Sequence, residues 1–243
     1  MKEPSTGVAE DADVEADGAP DEPEVDLERE LLDPDGGGGA EIRGHVPADP
    51  KGVVLVLHGG AQSSHAPVAW WRLAVVRMAP FAAAVEHRGG DRIASLRLKN
   101  RVRGWNGPRQ DPLTDARWAL DRIRHVLPGV PIVLVGHSMG GRVALRLAGE
   151  PDVVGVAALA PWVESDSVQA RPGMPVLLAH GSRDRITDPR RTALLASRLY
   201  DRGVDVRSVT MENDTHAMLR DAGAWHRIVR DFVIEVLDRG RTS

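Results

Sequence analysis

The sequence predicts an α/β fold, a mostly parallel central sheet with helices on both faces, and three observations carry that prediction. Residues 53–57, 132–135 and 153–160 are apolar runs without polar alternation, the pattern of strands covered on both sides. Residues 111–126 set Leu113, Ala116, Ala119, Leu120 and Ile123 at three-and-four spacing, the pattern of a helix that covers such a sheet. Residues 131–147, PIVLVGHSMGGRVALRL, carry one apolar run through a glycine-bracketed serine straight into a helical pattern. That is a strand, a sharp turn and a helix.

Composition bounds the rest. At 243 residues, 42% hydrophobic and 27% charged, the chain suits one ample core. It contains no cysteine, which removes disulfides, thiolate chemistry and cysteine-zinc sites together. No apolar run approaches the ~20 residues of a membrane helix, and no charged-then-apolar leader opens the chain, so a cytoplasmic protein is expected. Residues 1–35 hold 14 acidic residues against Lys2 and Arg29, a net of −12, and the remainder, with 29 basic and 21 acidic residues, stands at +8. The front end lacks the apolar surface to order itself, so residues 1–38 are expected to be an acidic disordered tail ending in a glycine linker, and residues 39–243 the folded domain.

Taken in order, residues 40–47 read as an edge strand and 48–51 as a turn. The apolar strand 53–57 stops at His58-Gly59-Gly60. Residues 66–78, with Trp70, Trp71, Leu73, Ala74 and Val75, read as a helix, and 81–85 as a short strand. Residues 88–109 then read as a loop of Gly, Asn and Pro with seven basic residues and one acid, Asp91. Such a run suits a solvated face, an anion site for a substrate, or a docking surface for the acidic tail. Helix 111–126 ends at Pro128-Gly129, the serine turn follows, and strand 153–160 leads to Pro161-Trp162. Strand 175–179 ends in His180-Gly181-Ser182-Arg183-Asp184. Asp188 before Pro189 has the form of an N-cap opening a helix over 189–202. Residues 205–211 alternate and read as a half-exposed sheet edge. The chain closes with a loop holding His216 and a helix carrying Trp225, Ile228, Val229, Phe232, Val233 and Val236.

Gly136, Ser138 and Gly140 spell G-x-S-x-G, the spacing a strained turn needs when a Cβ two positions either side of its centre would collide with strand or helix. The stretch resembles the nucleophile elbow of the α/β-hydrolase family, in the Gly-His-Ser-Met-Gly-Gly form of serine esterases and lipases. The resemblance implies a chain order of serine, acid, histidine, with an oxyanion loop upstream. It places Ser138 as nucleophile, His216 as base, and the oxyanion donors on the backbone amides of Gly60 and Met139. It selects Asp184 as the acid, with Asp188, Glu164 and Asp166 as alternatives. The interval 163–173 is too short for the lid domain many such proteins insert, so a lidless, open site is expected, with Trp162 as a wall or a packing anchor. Trp162 and His137 are the candidate substrate contacts.

The expected function is hydrolysis of carboxylic esters or thioesters through a Ser-His-Asp triad and an acyl-enzyme. An acyltransferase would use the same triad, and a catalytically inactive scaffold on this fold would be expected to lose Ser138, Asp184 or His216. No cofactor, metal cluster or phosphate loop is expected. Nucleic acid is not an expected partner, because outside residues 88–109 the basic residues are mixed with acids and no reader motif occurs. A small-molecule ester or thioester is the expected partner, with no membrane. Composition does not speak to oligomeric state.

Overall fold

The structure, a computed structural model, describes residues 39–164 and 168–239. The proposed tail, residues 1–38, and Asp166 lie outside the described residues. Seven strands form one sheet: β1 (Glu41–His45), β2 (Gly52–Leu57), β3 (Ile93–Lys99), β4 (Ile132–His137), β5 (Val153–Leu159), β6 (Pro175–Gly181) and β7 (Asp205–Met211). Their order is β1-β3-β2-β4-β5-β6-β7; β1 runs antiparallel to β3 and every other neighbour pair is parallel.

Among the described residues six α-helices accompany it: α1 (Leu73–Val76), α2 (Ala79–Gly89), α3 (Asp111–Val126), α4 (Met139–Arg146), α5 (Pro189–Asp201) and α6 (Ala222–Arg239). The period of two divides each buried strand between two cores. Val53, Leu55, Ile132, Leu134, Val176 and Leu178 face the core closed by α3, α4 and α5. Val54, Val56, Val133, Val135, Leu177 and Ala179 face the one closed by α2 and α6, where Phe81, Val85, Trp225, Val229 and Val233 pack. Both faces are therefore dry, which is why these strands lack polar alternation. Strand β7, with β6 as its one neighbour, is the sheet edge; it is mostly exposed, and its burial does not follow the expected alternation, because Val206 and Val209 pack toward opposite faces.

Three expectations fail between residues 66 and 109. The helix over 66–78 is not formed; that stretch is largely irregular, and α1 is a single turn. The expected strand at 81–85 is instead the middle of α2. A short apolar run cannot distinguish strand from helix by periodicity, and Ala82, Ala83 and Ala84 are strong helix formers, with Pro80 in the first turn and Gly90 at φ 54° ending it. The expected basic loop 88–109 contains β3, one of the sheet's inner strands. Its polar residues hid it, yet each has a partner. The Ser95 hydroxyl donates to the Ala82 carbonyl at 2.9 Å, Lys99 pairs with Glu41, and the Arg97 guanidinium lies 5.4 Å from the Trp70 ring centre. Beyond the strand, Arg101 pairs with Asp115 and Arg109 with Asp111. The stretch is not one free basic surface.

Between β5 and β6 the described residues form no helix or strand, and no sizeable cap domain covers the C-terminal edge of the sheet. Among the described residues no helix is long and apolar enough to cross a membrane.

Candidate active site

The sheet's parallel strands bring four loops to one edge, and all the sequence-proposed groups of the described residues gather there or just beneath it. Ser138 sits between β4 and α4 at φ 56° and ψ −114°, a conformation L-residues rarely adopt. The strain is held by its surroundings. A Cβ on Gly136 would run into the Gly140 carbonyl, and one on Gly140 into the Leu57 carbonyl. The Ser138 amide donates to the Leu159 carbonyl at 2.9 Å, and the Ser138 carbonyl accepts from the amides of Arg142 and Trp162 at 3.1 and 3.0 Å.

After β2, His58 is buried. It accepts from the Asn100 amide on Nε2 at 3.1 Å, and its Nδ1 donates to the Gly59 carbonyl at 2.7 Å. Burial pushes its pKa down, which keeps this neutral tautomer. The loop thus fixed sets Gly60 against the Met139 side chain. Met139 opens α4, so its N–H has no partner within the helix.

Asp184 follows β6 and is the acid that meets His216: Nδ1 of His216 donates to Oδ2 at 2.8 Å. Four further donors reach the same carboxylate. His180 Nε2 approaches Oδ2 at 3.1 Å and the Thr187 hydroxyl at 2.8 Å, while the amides of Ile186 and Thr187 reach Oδ1 at 2.7 and 3.1 Å. Burial would raise its pKa, but the hydrogen bonds from His180, His216 and the two amides outweigh it and hold the carboxyl well below the usual carboxylate range. The competing acids are elsewhere engaged. Asp188 caps α5 by accepting from the Arg190 amide at 2.9 Å, and Glu164 pairs with Arg142 at 2.8 Å.

His216 lies on the loop after β7. Its carbonyl accepts from His137 Nε2 at 3.0 Å, and the two rings stand 4.7 Å apart, so the residue before the serine touches the loop of the histidine. Burial, with the charges of His216 and Arg77, pushes the His137 imidazole down to about 3. Among the described residues no hydrogen bond joins Ser138 to His216. Trp162 is half-buried, with the Arg142 guanidinium 4.5 Å over its ring and Trp105 edge-on at 6.1 Å.

Three residues of this edge escaped the sequence reading. His180 was visible only as part of the acid loop; its Nδ1 lies 2.8 Å from the buried Thr192 hydroxyl. Thr187 has its hydroxyl 3.1 Å from His216 Nδ1 and 3.1 Å from the Ala160 carbonyl. Asp214 is buried under the histidine loop, accepting from Trp225 Nε1 at 2.9 Å and from the Thr215 amide at 2.7 Å. An aspartate two residues before a candidate base, with a tryptophan in the next helix, is the sequence signal that points to it.

The edge of the α/β sheet thus carries a strained serine after an inner parallel strand and an acid–histidine pair at neighbouring strand ends. The chain belongs to the alpha/beta hydrolase family, whose model matches residues 53–240. Among solved structures it resembles a putative alpha/beta hydrolase from Agrobacterium tumefaciens, with 17% identity, a TM-score of 0.65, and coverage of 82% of this chain and 92% of that one. It also resembles a serine hydrolase without lid from Xanthomonas campestris, at 18% identity, TM-score 0.61 and 81% and 88% coverage. A third is an esterase from Thermogutta terrifontis with butyrate bound, at 18% identity, TM-score 0.59 and 82% and 89% coverage. No curated protein matches the chain.

Proposed function

We propose that this protein is a serine hydrolase of carboxylic esters or thioesters, with Ser138 as nucleophile, His216 as general base and Asp184 as the acid that orients it. The observation that carries the reading is the His216–Asp184 bond of 2.8 Å beside a serine held at φ 56°. With Nδ1 bound to the carboxylate, His216 keeps Nε2 for the serine proton. Ser138 Oγ attacks the carbonyl carbon as that proton passes to Nε2, and the amides of Gly60 and Met139 receive the oxyanion. Collapse expels the alcohol or thiol, which leaves with the proton from His216, and the acyl group stays on Oγ. Water then gives a proton to His216 and its oxygen to the acyl carbon, and Ser138 recovers its proton as the acid departs. The Thermogutta terrifontis esterase with bound butyrate supports an acyl substrate.

Ser138→Ala tests the reading. It abolishes hydrolysis of p-nitrophenyl esters and labelling by a fluorophosphonate, with little change in melting temperature. Undiminished labelling of the variant places the nucleophile elsewhere.

A further inference from the structure

His180 is buried, titratable and unused by the reaction described above. It is the penultimate residue of β6, on the same face as Val176 and Leu178, and that face is closed by α5. The period of two therefore turns its imidazole into a dry layer, where a leucine would match its neighbours. A polar ring is tolerated there when both nitrogens find partners. Nδ1 lies 2.8 Å from the hydroxyl of buried Thr192 on α5, and Nε2 lies 3.1 Å from Oδ2 of Asp184.

The place of the proton follows from these neighbours. Asp184 is held well below the usual carboxylate range and is ionised at neutral pH, so a bare lone pair on Nε2 would be repelled by Oδ2. The Thr187 hydroxyl, 3.2 Å from Nε2, has one proton, and the Ala160 carbonyl at 3.1 Å and Oδ2 at 2.8 Å compete for it. Nε2 is therefore the donor to Oδ2, and the Thr192 hydroxyl donates to Nδ1. His216 Nδ1 donates to that same carboxylate oxygen at 2.8 Å. Two imidazoles share it.

We propose that His180 is a positioning residue of the reaction: its Nε2–H holds the Asp184 carboxylate in the orientation His216 needs and draws off part of its charge, which sets the pH at which His216 becomes a working base. The inference rests on the Ser138, His216 and Asp184 reading above and adds a side chain that acts through the acid. A hydrogen bond to a carboxylate stabilises the anion and weakens its pull on a neighbouring cation. Without it, Asp184 attracts the His216 imidazolium more strongly, and that proton is kept to higher pH. Besides Asp184, the titratable group that the described residues bring against His216 is His137, with ring centres 4.7 Å apart; it is pushed down to about 3 and stays neutral through the assay range. Against His180 itself the titratable group is Asp184, beside the hydroxyls of Thr187 and Thr192.

The test measures kcat and KM for p-nitrophenyl butyrate from pH 5 to 9 on the wild type, His180→Leu, His180→Gln and Ser138→Ala, with the melting temperature of each, and records the histidine ring-nitrogen NMR spectrum of the wild type, assigned with His180→Gln. His180→Leu is expected to lower kcat about tenfold at pH 7 with KM little changed. Its kcat/KM profile has the acid limb moved to higher pH, so part of the loss is recovered at pH 9. His180→Gln, whose amide N–H stands in for Nε2–H, returns both kcat and the acid limb toward the wild type. The spectrum shows His180 protonated on Nε2, a result that decides the matter even if His180→Leu does not fold. An acid limb in His180→Leu that overlies the wild type, a His180→Gln no better than His180→Leu at equal melting temperature, or a His180 protonated on Nδ1 alone overturns this role while Ser138→Ala stays inactive. Hydrolysis of the ester by Ser138→Ala overturns the serine reading and this inference with it.

Discussion

At the scale of single residues, Asp184 is the most heavily engaged group of the site. Both its oxygens accept from several donors, and the two histidines that reach Oδ2 come from strand β6 and from the loop after β7. An asparagine in its place keeps the volume but loses acceptor capacity, and its NH2 favours the wrong tautomer of His216. Asp184→Asn is therefore expected to lower kcat by about 10⁴, by analogy with the same change in the serine-protease triad, with KM changing far less. A steady-state assay decides it, and an undiminished kcat would remove Asp184 from the triad. Asp188, four residues on, serves as the control because its carboxylate points to the helix.

At the scale of elements, α5 shows how a cap and a strand end share one loop. Asp188 accepts from the Arg190 amide with Pro189 at the first helical position, so the helix starts where its orphan N–H groups find an acceptor. Asp188→Ala is expected to cost about 1 kcal/mol of stability, read from urea unfolding, while hydrolysis continues. A loss of activity matching that of Asp184→Asn would mean that the acid had been misassigned. The α4 helix is the counterpart on the nucleophile side, short and wholly packed, positioned by the glycines that let it approach β2.

At the scale of the molecule, acid is the expected weakness. His137 titrates at about 3 in the folded protein and near the ordinary histidine value when unfolded, and burial shifts His58 in the same direction. Below about pH 6.5 the unfolded chain binds protons that the folded one refuses, so stability falls as pH falls toward 3. Asp184, held low when folded, adds to the loss at the acid end of that range, because below about pH 4 the carboxyl of the unfolded chain takes up a proton that the folded one refuses. For one fully shifted histidine the slope is about 1.4 kcal/mol per pH unit. Melting temperature measured from pH 7.5 to 4 is expected to drop steadily below 6.5, and a flat profile would contradict neutral burial of both rings.

Much of this was legible in the chain because its signals are local. The G-x-S-x-G turn works only with small residues at fixed spacing. The strands covered on both faces are apolar at every position, and the Asp188-Pro189 cap is contiguous. The segment from 66 to 99 was misread for the opposite reason. Ala82 to Ala84 suit a helix or a buried strand equally, and β3 carries Ser95, Arg97 and Lys99, whose partners Ala82, Trp70 and Glu41 lie on other elements. That the Asp184 carboxylate lies within hydrogen-bond reach of His216, that His180 and Thr187 share it, and that Trp71 is left exposed were decided by tertiary structure alone. Each is a contact between residues far apart in sequence or an exposure set by packing, and neither quantity exists until the sheet has assembled.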